Sequence, residues 1–138
     1  MKPTRDKIFV DTNILIYFYT KTEKNKLLNL EKILIDSDLI ISTQVLNELS
    51  NVLIKKFNLT SIEIVSIIKE LSKWCFVYNI EITTIIYALH ISQKYKFSYF
   101  DSLMLAAALE NDCKIIFSED MHHECIIEKT LHIFNPFK

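Results

Sequence analysis

The chain has 138 residues, half of them hydrophobic and 24% charged, with a net charge of −1 at pH 7. This length supports one hydrophobic core, and the apolar content is too high for a disordered polymer. The near-zero charge gives no global attraction to a polyanion, so any nucleic-acid contact must come from a local patch or a bound cation.

The β-branched and aromatic run Lys7–Val10 predicts a first strand, ending at Asp11. Asn13–Tyr19 reads as helical, and Leu27, Leu28, Leu30, Ile33 and Leu34 extend a helical repeat over Thr22–Ile35. Leu39–Ile41 is a second short strand. Ser42 and Thr43 offer N-caps for a helix to Phe57, and Thr60 with Glu63 forms a capping box that opens another, to Lys73. Cys75–Tyr78 is a third strand, followed by a helix from Thr83 or Thr84 to Tyr95. Ser98 with Asp101 repeats the capping pattern and opens a helix to Leu109. Lys114–Phe117 and Leu131–Phe134 complete five strands. Short strands alternating with helices predict a three-layer α/β/α sandwich with a mainly parallel central sheet, spanning residues 1–138 as one domain.

The chain contains no glycine. This excludes the glycine-dependent phosphate cradles of P-loop NTPases, kinases and typical dinucleotide enzymes. Cys75, Cys113 and Cys125 are an odd, scattered set without a CxxC pair, which fits buried thiols in a reducing cytoplasm. No apolar run approaches the ~20 residues that cross a bilayer, and Asp11 and Asn13 interrupt the N-terminal one.

In parallel sheets, ligands bind beyond the carboxyl ends of the strands. Asp11 follows the first strand, and Ser118-Glu119-Asp120 follows the fourth. Asp101 opens the helix that leads into that fourth strand. On the helix from Thr43, Glu48 falls at the border of the stripe formed by Val45, Leu49, Val52 and Leu53, where a carboxylate needs a partner. Carboxylates gathered in one cleft repel each other, and a hard divalent cation such as Mg²⁺ relieves that repulsion. Taken singly, each acid has a plainer reading: Asp11 and Asp101 as helix caps, Asp120 as a turn residue, Glu48 as a solvated helix position. Trp74 and Phe76 are expected in the core, and His90 and His132 are packed or surface residues. Cys113, His122, His123 and Cys125 lack the spacing of a zinc site.

The segments IFVDTNILIYFY, STQVLNELSNVL, FSYFDSLMLAAALENDCKIIFSEDM and HIFNPF together resemble the PIN-domain family, and within it the VapC-type toxins of bacterial toxin–antitoxin pairs. The resemblance implies that Asp11, Glu48, Asp101 and Asp120 form the acidic active site and bind Mg²⁺ or Mn²⁺. Asn13 and Ser118 match supporting polar positions. Glu119 competes with Asp120 for the fourth acid. The resemblance further implies an endoribonuclease that leaves 3′-hydroxyl and 5′-phosphate ends, a homodimer, and a small antitoxin partner. The helices from Thr22 and Thr60 are the candidate dimer surfaces. Lys55-Lys56 and Lys94-Tyr95-Lys96 are the basic candidates for phosphate contacts, and Lys94 and Lys96, which closely precede Asp101, are the pair to test for RNA binding. The alternative is a non-catalytic PIN-like module that binds RNA or protein. Relatives often carry a glycine soon after the S-E-D segment, where this chain reads Met121-His122-His123-Glu124.

Overall fold

A computed structural model describes residues 6–20, 30–32 and 34–137. Its strands are β1 (Lys7–Val10), β2 (Asp38–Ser42), β3 (Cys75–Tyr78), β4 (Ile115–Phe117), β5 (Ile126–Ile127) and β6 (Leu131–Phe134). Its helices are α1 (Thr12–Thr20), α2 (Thr43–Phe57), α3 (Ser61–Trp74), α4 (Ile82–Tyr95) and α5 (Tyr99–Glu110). The helix expected over 22–35 falls largely outside the described residues. Residues 30–32, 34 and 35 are helical, and Leu30 is buried.

The strands form one sheet in the order β3-β2-β1-β4-β6-β5, parallel except for the β5–β6 pair. Helices flank it as an α/β/α sandwich: α1 packs on α2, α2 on α3, and α4 on α5. The chain runs from β1 outward to β3, then returns to place β4 on the other side of β1. This reversal opens a crevice at the carboxyl ends of β1 and β4, where a doubly wound sheet binds its ligands. Continuous apolar strands fill the core, with Phe9, Ile41, Ile116 and Ile133 fully buried. Helix α5 is buried over the whole run from Ser102 to Ala108, and its alanines let it sit against the sheet on β2 and β4.

The caps fall where the sequence places them. Ser42 accepts from the Val45 N–H, Thr60 and Glu63 form a complete capping box, and Ser98 accepts from the Asp101 N–H. Helix α4 begins one residue ahead of the expected Thr83, with Glu81 as its cap.

Three expectations are corrected. The strand β5 was not foreseen. Trp74 and Phe76 are more than half exposed rather than in the core: Trp74 ends α3, and Phe76 lies on the edge strand β3, pointing away from the side occupied by Cys75. Cys125 is half-buried, unlike Cys75 and Cys113, whose thiols burial pushes up to about 11 and about 12.

Candidate active site

The register that pairs Val10 with Phe117 sets Asp11 beside Ser118. The Asp11 N–H continues the ladder to the Phe117 carbonyl at 3.0 Å. From this shared strand end, Ser118 Oγ donates to Asp11 Oδ2 at 2.8 Å, and the Thr12 N–H donates to Asp11 Oδ1 at 2.5 Å. Asp11 thus directly precedes α1, its carboxylate bonded to the first helical N–H, and it faces an open cleft of about 280 Å³. Both oxygens are held, yet burial pushes its carboxyl up to about 6, helped by the charges of Asp101 and Glu48.

Glu48 is half-buried, as its place on α2 requires. Thr12 Oγ1 donates to its Oε2 and Gln44 Nε2 to its Oε1, each at 2.9 Å. Asp101 occupies the first turn of α5, where burial raises its pKa, the Ser98 hydroxyl lowers it, and the charges of Glu48 and Asp120 raise it further. Asp120 is exposed and accepts a hydrogen bond from Asn13 Nδ2.

All four acids line the cleft, together with Thr12, Asn13, Asn51, Val52 and Met104. No lysine, arginine or histidine is among the described residues of that lining. Ser118 stays behind Asp11, fully buried, and also accepts from the Met121 N–H. Glu119 is outside the lining, and its carbonyl accepts from Asn135 Nδ2. Among the described residues, no three acidic, histidine or cysteine side chains converge closely enough to form a finished metal cage. The carboxylates instead rim the cleft, with Asp11, Glu48 and Asp120 held by neighbours.

Lys94 and Lys96 lie at the end of α4, outside the lining. Lys94 Nζ is bonded to Glu128 at 3.1 Å, and Lys96 takes a left-handed conformation that ends the helix. The histidines are engaged elsewhere: His122 packs edge-on against Phe97, and His123 Nδ1 accepts from the Asn135 N–H at 3.0 Å. In the segment where relatives often carry glycine, Glu124 adopts φ 65°, so the backbone reaches a glycine-like conformation without the residue. Thr12 and Gln44 were not singled out from the sequence. The usable signals were the position of Thr12 between Asp11 and Asn13, and the four-residue spacing of Gln44 from Glu48.

The family model described as the PIN domain matches residues 8–125. Among curated proteins, none shows significant similarity. Solved structures share the fold at low identity. VapBC2 from Rickettsia felis, bound to a DNA fragment from its promoter, is 17% identical with a TM-score of 0.67, over 94% of this chain and 99% of that one. DNA-bound VapBC from Salmonella typhimurium is 14% identical with a TM-score of 0.68, over 95% and 98%. VapC20 from Mycobacterium tuberculosis, a toxin that cleaves the sarcin–ricin loop, is 16% identical with a TM-score of 0.66, over 82% and 89%.

Proposed function

The chain belongs to the PIN-domain family, and from that premise we propose that it is a Mg²⁺- or Mn²⁺-dependent endoribonuclease, the toxin of a toxin–antitoxin pair. One observation carries the reading: four carboxylates line a cleft whose described residues include no cationic side chain. Such a site is short of positive charge, and its all-oxygen donors suit a hard divalent cation that keeps part of its water shell.

Asp11, Glu48, Asp101 and Asp120 would hold the cation. When bound, it supplies Lewis acidity toward a phosphodiester and lowers the pKa of an attacking water. The protein's part is orientation. Ser118 and the Thr12 amide fix Asp11, Thr12 and Gln44 fix Glu48, and Asn13 fixes Asp120. A water attacking phosphorus in line would form the new P–O bond as the P–O3′ bond breaks, with the 3′-oxygen taking up a proton, so that the phosphate would stay on the 5′ end. No histidine is among the described residues of the cleft lining, and His122 and His123 contact Phe97 and Asn135 instead, which argues against a histidine acid–base pair there.

The partners are proposed on the same footing: an RNA substrate, a small antitoxin, and a second copy of the chain, all in the cytoplasm. Among the described residues no helix is long and apolar enough to cross a membrane. For the dimer, α3 exposes Ile62 and Val65, whereas α4 exposes the longer stripe Ile82, Ile85, Ile86 and Leu89.

The test is cleavage of a mixed-sequence RNA with and without EDTA. Activity is expected to vanish in chelator, to return with Mn²⁺ or Mg²⁺, and to be absent in Asp101→Asn. RNA binding without cleavage under every metal condition would favour the non-catalytic module instead.

A further inference from the structure

Gln44 holds one oxygen of Glu48, and the same side chain also joins two of the acid-bearing helices. It is 7% exposed. One amide nitrogen donates both to Glu48 Oε1 at 2.9 Å, one turn along α2, and to the Phe100 carbonyl at 3.2 Å, in the first turn of α5. Phe100 directly precedes Asp101. The amide oxygen at the other end is buried, with no hydrogen-bond partner among the described residues.

An unpartnered buried acceptor costs stability. A leucine or methionine of similar size would fill the same space without that cost. The only gain from an amide here is what its nitrogen does. It takes one oxygen of Glu48 while Thr12 takes the other, so the carboxylate can neither rotate nor retreat into solvent. Because the same nitrogen grips the carbonyl beside Asp101, it also ties the position of Glu48 to the N-terminal turn of α5.

We propose that Gln44 is a positioning residue that sets Glu48 against Asp101 for divalent-cation binding. The inference rests on the metal-nuclease reading given above. Partners that orient metal-binding carboxylates typically contribute about 10–100-fold to metal affinity or activity.

The experiment measures Mn²⁺ binding to the whole chain by electron paramagnetic resonance, beside thermal melts in EDTA and steady-state cleavage. Gln44→Leu and Gln44→Met are expected to weaken Mn²⁺ binding by about tenfold and to lower kcat with KM for RNA little changed. Their metal-free melting temperatures should equal or exceed that of wild type. In a Glu48→Ala background, Gln44→Leu should have no further effect on Mn²⁺ binding, because its target is gone. Wild-type Mn²⁺ affinity in both Gln44 variants would overturn this proposal and leave the nuclease reading standing. So would an equal loss with and without Glu48, or a large fall in metal-free stability in both variants. A wild-type chain that neither binds Mn²⁺ nor cleaves RNA would overturn the nuclease reading, and this inference with it.

Discussion

The acidic cleft and the outer face of α4 break opposite rules of a globular protein. The cleft keeps like charges together, from the exposed Asp120 through the half-buried Glu48 and Asp101 to the almost fully enclosed Asp11. The α4 face puts Ile82, Ile85, Ile86 and Leu89 in contact with solvent along one stripe. The first region lacks charge of the opposite sign, and the second lacks apolar cover. The comparison teaches that each misfit is specific. A cation would relieve the first and do nothing for the second, whereas a second protein surface would cover the second and do nothing for the first.

The largest expected effect lies in the cleft. Asp101→Asn and Asp120→Ala should each lower RNA cleavage by at least about 100-fold, because each removes a group from the acidic constellation itself. The His122→Ala and His123→Ala variants should retain most activity in the same assay. Comparable losses in all four would show that the cleft holds no privileged chemistry.

On the α4 face, Leu89→Asp replaces an apolar side chain whose burial is worth about 1.5–3 kcal/mol. Self-association measured by sedimentation should weaken at least about tenfold, with the metal-free melting temperature little changed. A wild-type chain that sediments as a monomer at micromolar concentration would remove the dimer from the account.

A smaller effect contrasts charge with stability. The Asp11 carboxyl is raised above its unfolded value, so the proton favours the native state. The stabilisation is complete at low pH and is lost as pH rises through about 6. In EDTA, the stability difference between Asp11→Asn and wild type should therefore grow between pH 4 and 6, reaching about 1–2 kcal/mol in favour of the variant. Denaturant melts across that range check it. A variant less stable than wild type throughout would make Asp11 a structural cap.

The smallest effect concerns the absent glycine. Glu128 and Lys129 both have positive φ, at 51° and 65°, in the turn that joins β5 to β6. Hairpin turns of this kind are normally marked by Asn-Gly or Asp-Gly. Here a Glu-Lys pair takes the same shape, and the Glu128 N–H is anchored by the Tyr95 hydroxyl at 2.9 Å. Lys129→Gly should stabilise the fold by about 0.5–1 kcal/mol without altering cleavage.

That turn also explains what the sequence hid. Helices were legible because their ends carry chemical marks, such as Ser42, Thr60 with Glu63, and Ser98. The strand β5 was not, because two isoleucines give no periodicity and the turn after them carries no turn residue. The acids were legible through their places after strands and at helix starts, and through the resemblance of their flanking motifs. The support around them was not. Thr12 looks like an ordinary helix residue until the fold brings it to Glu48, and Gln44, one turn before Glu48, gives no sign of its reach to the Phe100 carbonyl. Phe76 read as core because an edge strand has the same composition as an inner one.

The most direct test of the central claim is end-group analysis of a cleaved RNA oligonucleotide, with and without chelator. The account predicts 5′-phosphate and 3′-hydroxyl ends in Mn²⁺ or Mg²⁺ and no cleavage in EDTA. Cyclic or 3′-phosphate ends formed in EDTA would contradict it, because they would place the chemistry on a base other than this carboxylate cleft.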